Sequence, residues 1–483
     1  MSLRYYYIKS TGIMLSIRAI RGFSIVATNL ILARLLFPKD FGLASIAISI
    51  TTIISQLSDF GLGKAVIQKG TLDENILSTG ATLRLIVSII SCILLFFSAP
   101  LFNYMYKESE IVNIIRICSI IFIIQSAGFI PTSIINIKLE FKHFLIPTFG
   151  SNLAMLFSAI LFALLKFGYW SIILSNIIGA IVNVLLLWIL FPWKISYKIQ
   201  WNIGKQLLNY GKYATIISIL SAFVVNADRF ISAIFLSIIA VGYYAVAYTW
   251  GTFIVFNMSY IVAGVTFPSF SVYKNNISLL RNSFLNGIKY LYLITIPIIA
   301  LLIVFSKEFI IIFLGNIWIP SLQVFQLLLI YSLFYILYFI HSDLFFALNE
   351  QKILLKIHIV MMFVLIVFIY PLGYLYNIVG IALTLIISFS IGSILNLFYS
   401  SQFLKYTLTE FVSIVSPQFS SGILVGLFLL FIKPFVEKSY LFIGLAILLS
   451  MIIYIVLIKL MSNREYWNDI IKTYKSTIQI FIK

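Results

Sequence analysis

The sequence predicts an all-α integral membrane protein of about fourteen transmembrane helices, and three observations carry that prediction. Of its 483 residues 62% are hydrophobic and only 10% charged, against about 45–50% and about 25% in soluble domains. The apolar runs are mostly about 20–27 residues long, enough to cross a hydrocarbon core of roughly 30 Å at about 1.5 Å per residue. Lys and Arg fall overwhelmingly on alternate connections. A β-barrel would instead show strands of about 10 residues with alternating polarity.

In order, the expected spans of the first half are Ile8–Leu36, Phe41–Ile67, Ile76–Ser98, Ile111–Ile137, Leu145–Leu165 and Tyr169–Phe191. The second half repeats the pattern with Tyr213–Leu236, Val241–Phe267, Ile288–Phe313, Leu322–Leu348, Ile353–Leu375 and Ile378–Leu404. Phe411–Ile432 and Tyr440–Leu460 follow as two additional spans. The first run carries Arg18 and Arg21 and has no small-residue cleavage site, so no cleavable signal peptide is expected. Cys92 and Cys118 lie in apolar spans and read as buried single thiols.

With the N-terminus in the cytoplasm, that side collects about 21 Lys and Arg and the other only about six, a strong positive-inside bias. Both termini are therefore expected in the cytoplasm. The net charge of +18 is topological and calls for no nucleic acid partner.

The connection "KISYKIQWNIGKQLLNYGK" sets Ile195, Ile199, Ile203 and Leu207 at helical spacing among lysines. It reads as an amphipathic helix on the cytoplasmic surface. The tail after Ser462 spaces Tyr466, Ile470, Ile471, Tyr474 and Ile478 similarly. A weak repeat runs through the spans: "FGLASIA" at Phe41, "FGYWSII" at Phe167, "VGYYAVA" at Val241 and "VGIALTL" at Val379 open even-numbered ones. The pattern recurs six helices later, as in transporters built from two related halves. The expected division is 1–192 for an N-terminal lobe, 193–212 for the amphipathic linker and 213–404 for a C-terminal lobe. Residues 405–461 hold the two additional helices and 462–483 an amphipathic tail.

Six arginines fall inside the spans, Arg18, Arg21, Arg34, Arg84, Arg116 and Arg229, beside three acids, Asp59, Asp228 and Asp343. Each central charge costs about 2.5–3.5 kcal/mol on insertion scales, so such residues face one another or a watery cavity. Arg18, Asp59 and Arg84 sit at a similar depth, roughly 12–15 Å from the cytoplasmic edge. Arg18 and Arg21 share a helix face. Asp59, in "QLSDFGLGKAVIQKG", is read as lying about two turns inside the end of its helix and facing this basic cluster. A packing ion pair with one arginine is the alternative. Pairing Asp59 and Asp228 still leaves a surplus of arginines, which points to an anionic ligand, because the planar guanidinium binds phosphate oxygens bidentately. Arg34, near an outer helix end, is also placed to snorkel. Asp228 and Arg229 point about 100° apart and need not pair with each other. Asp343, His341 and Asn349 read as an interfacial group, and His143 and His358 as loop or helix-end residues without metal-ligand spacing.

No P-loop, G-x-S-x-G, H-E-x-x-H or C-x-x-C occurs. The external connections are short, which argues against an enzyme, and no cofactor or metal is expected.

Four segments resemble one family: "LLFPKDFGLASIA" with "LSDFGLGKAVIQ", "LLNYGKYATIISILSAFVVNADRFISAIFLSIIAVGYYAVAY", "TFPSFSVYKNN", and "IIFLGNIWIPSLQVFQLL". They lie in order over about the first seventy percent of the chain. The family is the bacterial polysaccharide exporters, or O-antigen and capsule flippases, of the multidrug/oligosaccharidyl-lipid/polysaccharide exporter superfamily. The resemblance implies two pseudo-symmetric lobes around a central cavity in the bacterial inner membrane. It further implies alternating access that carries an undecaprenyl-pyrophosphate-linked oligosaccharide, with membrane lipids, a polysaccharide polymerase and a chain-length regulator as partners. Asp59, Asp228 and Arg229 stand at family-typical positions. From their place in the spans, Arg18, Arg21, Arg84, Arg116 and Arg229 are expected to bind the anion, and Asp59 and Asp228 to orient arginines or couple to cations. The rival expectations are a cation-coupled multidrug exporter, whose cavity would be lined by acids, and a membrane polymerase, which would need large external loops.

Overall fold

A computed structural model describes residues 22, 24–193, 198–436, 440–462 and 466–468. Among the described residues the fold is helical throughout. Twelve helices are long and apolar enough to cross a membrane, and Ser24–Leu35 (α1) is a shorter apolar helix.

The second predicted span is two helices, α2 (Pro38–Asp59) and α3 (Leu62–Lys69), and the third is α4 (Glu74–Tyr106). The fourth is broken into α5 (Glu110–Ser119), α6 (Ile121–Ala127) and α7 (Phe129–Lys138), and α8 (Leu145–Leu164) and α9 (Trp170–Leu190) complete the first half. The second half holds α10 (Trp201–Ser232), α11 (Ile238–Tyr273), α12 (Ile277–Val304), the single turn α13 (Ser306–Phe309) and α14 (Leu322–Ala347). Then come α15 (Gln351–Leu404), α16 (Leu408–Val436) and α17 (Tyr440–Met461).

Short polar side chains start some of these helices. Asp73 accepts the Asn75 N–H at 2.7 Å to open α4, and Ser237 accepts the Ala240 N–H at 3.2 Å to open α11. Pro38 supplies the first residue of α2, where its missing N–H costs nothing. The 54 residues of α15 are two antiparallel helices joined at Asn377 (φ 54°, ψ −137°). Ser388 reaches back to donate to the Met361 carbonyl at 2.8 Å, and a Cβ on Gly380 would collide with the Leu372 carbonyl oxygen. Asn377 is therefore the turn between the two predicted spans on either side of it.

Each half has its own apolar core. Leu43, Ile46 and Ile50 of α2 pack with Leu95, Ile114, Phe122 and Ile173. A larger cluster joins α11, α12, α14 and α15, with Trp318, Tyr331 and Phe389 fully buried. The halves meet where α2 crosses α11. A Cβ on Gly42 would strike the Ile238 carbonyl oxygen, and one on Gly242 would strike the Pro38 carbonyl oxygen. These are the glycines of "FGLASIA" and "VGYYAVA", so two of the repeat's glycines lie at this contact between the halves. On the orientation expected from the charge bias, this crossing faces the exterior. There Trp318 Nε1 donates to the Ala33 carbonyl at 2.8 Å and its ring meets Phe41 edge-on at 5.1 Å.

Three expectations need correction. Residues 201–212 of the predicted surface linker are the first turns of α10, where Leu207 is buried with Leu62, Leu77 and Ile130 and Ile203 packs against them; Ile199 of the same stripe is exposed, and Ile195 lies outside the described residues. Lys289, counted with the loop lysines, is 4% exposed inside α12, with its ammonium 3.9 Å from the centre of the Tyr466 ring in the tail. His341 and His358 are core rather than interface or helix-end residues. His341 pairs with Ser400 at 3.0 Å, and His358 bridges Tyr338 at 3.0 Å and Ser221 at 3.4 Å. The tail beyond 468 lies outside the described residues.

Replacing Gly242 by Val should force α2 and α11 apart, at a cost of about 1–3 kcal/mol. Thermal unfolding of the purified chain in detergent reads this as a lowered midpoint, and an unchanged midpoint would show that the two backbones are not in contact.

Candidate functional site

Asp59 is not two turns inside a helix but the last residue of α2. Phe60 (φ 46°) and Gly61 (φ 61°) turn left-handed, and α3 starts at Leu62. A carboxylate at a helix C-terminus opposes the helix dipole. Here the break turns it toward the start of α3, with Oδ1 4.0 Å from where a Gly63 Cβ would lie, so the second dipole favours it. Asp59 Oδ1 stands 3.3 Å from Arg84 Nη1 on α4. One turn along, the hydroxyls of Ser58 and Ser88 are 3.0 Å apart and hold α2 and α4 in register.

The pair is lopsided. The Arg84 side chain is 8% exposed and that of Asp59 41%. Arg84 Nη1 is buried and has no hydrogen-bond partner despite the nearby carboxylate. The ion pair supplies charge without filling the guanidinium's donors.

Asp228 and Arg229 do pair, contrary to the angular argument, because the long arginine side chain folds back to bring Nε within 3.5 Å of Asp228 Oδ1. Tyr244 on α11 donates to Asp228 Oδ2 at 2.7 Å. Arg229 Nη2 donates to Asn226 Oδ1 and to the Val225 carbonyl, both at 3.1 Å. The guanidinium lies 4.3 Å from the centre of the Tyr248 ring. Asp228 is fully buried.

The other arginines do not join these pairs. Arg116 lies over the exposed ring of Phe96 at 5.1 Å. Arg34 spans to the second half, where it donates to the carbonyls of Phe313 at 3.2 Å, Ile311 at 3.3 Å and Ile312. It caps an irregular turn rather than snorkelling. Arg18 and Arg21 lie outside the described residues, so the predicted cluster is represented by Arg84 and Asp59. Asp343 is half-buried near the end of α14.

A polar cavity between α2, the α5–α7 helices, α8 and α9 was not anticipated. Two adjoining lobes of about 310 and 270 Å³ share Gln125 and Asn176. Asn152 and Asn183 line one lobe, and Thr52 and Ser55 the other. Among the described residues every lining side chain is uncharged. The signal was available in the sequence: Asn176 and Asn183 are seven residues apart on one face of an otherwise apolar span.

Comparison with known proteins follows this architecture. The family described as polysaccharide biosynthesis protein matches residues 31–323, more than half of the chain. The teichuronic acid biosynthesis protein TuaB of Bacillus subtilis is 26% identical over 300 residues, covering 59% of this chain and 60% of its own. The lipopolysaccharide biosynthesis protein WzxC of Escherichia coli is 23% identical over 309 residues, covering 63% of this chain and 62% of its own. The chain thus spans about three fifths of the length of these relatives. Among solved structures, the lipid II flippase MurJ in an inward closed conformation superposes with a TM-score of 0.78 at 17% identity, covering 96% of this chain and all of that one. With this fold, and with that match across both halves, the chain is a multi-pass membrane protein belonging to the polysaccharide biosynthesis protein family.

Proposed function

We propose that the chain is a flippase that moves an undecaprenyl-pyrophosphate-linked oligosaccharide repeat unit across the bacterial inner membrane by alternating access. The observation that carries this reading is Arg84: a guanidinium buried in a membrane fold, with an unfilled donor and only a half-exposed carboxylate beside it. A buried cation of this kind is costly unless an anion completes it. Pyrophosphate oxygens suit its planar fork. The family membership and the likeness to a lipid II flippase support a lipid-linked glycan as the anion's bearer.

In this mechanism Arg84 engages the pyrophosphate and Asp59 holds the guanidinium in place between substrates. Asp59 is exposed enough to yield its position when phosphate arrives. The lipid tail stays in the membrane, and the halves rock about the α2–α11 crossing. Binding drives the change only to the extent that the substrate holds one state more tightly than the other. Arg229 and Asp228 take a second role as a rigid charged pair on α10. Arg18, Arg21 and Arg116 remain candidates for the same anion. Polymerase and chain-length regulator would act on the delivered unit.

The test is the side on which lipid-linked single units reside in a deletion strain, read with a sugar-reactive probe that does not cross the membrane. Units trapped inside, and export by Arg84→Ala reduced at least about tenfold at normal protein level, are expected; tenfold corresponds to about 1.4 kcal/mol of lost interaction. Arg84→Lys should restore little, because lysine lacks the fork. Single units accumulating outside would defeat the reading in favour of a polymerase.

Asp59 and Asp228 should separate in the same strain. Asp228→Ala strands Arg229 in the interior and should cost about 3–5 kcal/mol of stability, seen as loss of protein from the membrane. Asp59→Ala should leave the protein level normal and impair export. The reverse pattern would exchange the two roles.

A further inference from the structure

The polar cavity in the first half has features that packing does not explain. Amides and hydroxyls on several helices line it among apolar residues, in a chain that is 62% hydrophobic. Such groups are costly against hydrocarbon. Asn176 donates to its own helix at the Ile172 carbonyl, 2.7 Å away, which leaves its carbonyl oxygen for the cavity. Asn183 reaches Ser151 only at 3.5 Å. Asn152 Nδ2 is buried with no hydrogen-bond partner. Lobes of about 310 and 270 Å³ are far larger than the roughly 30 Å³ share of one water molecule, and they reach the size of small-molecule sites, about 300 Å³ upward.

Two further facts set the chemistry. Amides and hydroxyls offer both donors and acceptors, the complement of a sugar's hydroxyl groups. Among the described residues no lining side chain is charged, so a carboxylate brought here would lose its water without meeting a cation in these walls. The cavity also leads somewhere. Thr52 and Ser55 line it, and positions 52, 55 and 59 share one face of α2. Ser55 and Asp59 are one turn apart, about 6 Å along the axis. The polar track therefore runs from the amides to the Asp59–Arg84 pair.

We propose that this cavity is a sugar subsite, holding an uncharged sugar residue of the lipid-linked glycan while Arg84 holds its pyrophosphate. The assignment rests on the flippase reading and adds to it a selectivity: neutral sugars are accepted there and uronic acids refused. Asn152 and Asn183 supply hydrogen bonds that are unfilled or long without a ligand.

The full chain in lipid nanodiscs is offered three probes: undecaprenyl pyrophosphate alone, the same lipid bearing N-acetylglucosamine, and the same lipid bearing glucuronic acid. The neutral-sugar probe should bind at least about tenfold more tightly than the other two, an increment of about 1.4 kcal/mol. Asn152→Leu and Asn183→Leu should each erase that increment and leave the sugar-free lipid bound as before, which also shows that they are folded. If one of them loses the sugar-free lipid too, the other, on a different helix, decides. Arg84→Ala should weaken all three probes. Equal binding of the neutral-sugar and sugar-free lipids by the unaltered chain, an increment that survives both substitutions, or tight binding of the glucuronyl lipid would each overturn the subsite. If the unaltered chain binds none of the three, the flippase reading falls with it.

Discussion

Hydrocarbon offers no partner to a polar group, so a membrane fold must satisfy its backbone and its charges from within. Much of this structure follows from that constraint. Hydroxyls in the spans bond back to their own helices, as Thr51 does to Ala47 at 2.6 Å and Thr252 to Tyr248 at 2.7 Å. Where the helix widens into a π turn at Ile310–Leu314, Arg34 covers the carbonyls that regular helix would have used. Lys289 is met by the Tyr466 ring. Several buried donors nevertheless stay unfilled, among them those of Arg84, Arg116, Arg229 and Asn152, and the proposed ligand would meet two of them, at Arg84 and Asn152.

The same constraint shapes how the halves can move. At the side the charge bias assigns to the exterior, α1 and α2 are held to the second half by Arg34, by Trp318 and by the reciprocal approach of Gly42 and Gly242. A hydrogen bond to a charged group contributes about 1.5–3 kcal/mol, a neutral one about 0.5–1.5. Opening here would therefore cost several kcal/mol before any new contact forms, and in the proposed cycle substrate binding has to offset it. Glycine suits such a joint: backbone meets backbone without interlocking side chains, so the helices can separate without repacking a core.

Much of this was legible in the sequence because lipid enforces simple rules. Length and polarity located the spans, and even the pair fused in α15 was separated at Asn377, where a single asparagine interrupts the apolar run. The ion pair of Asp59 with Arg84 followed from equal depth. What failed did so for tertiary reasons. The stripe of Ile203 and Leu207 has the same periodicity whether it rests on lipid or on α3 and α4. Lys289, His341 and His358 looked peripheral because their partners, Tyr466, Ser400 and Tyr338, are distant in sequence or on other helices. The amide cavity has one local signal, Asn176 and Asn183 on one face of a span, while Gln125 and Asn152 join them only through the packing of three helices.

The two acids show how one residue type is turned to different ends by its surroundings. Asp228 is fully buried, with a tyrosine on one oxygen and an arginine on the other. Removing a charge so enclosed leaves its partner stranded, which makes the pair a structural element of α10. Asp59 sits at a helix break, is 41% exposed and holds Arg84 by proximity alone. A partner that is solvated and makes no hydrogen bond is easily exchanged. An incoming phosphate brings the same charge with better-placed oxygens, so it can replace the carboxylate at little cost. In the proposed mechanism a carboxylate of this kind keeps the buried guanidinium neutralised until an anion arrives, and the helix break after Asp59 puts it in the exposed position that such an exchange needs.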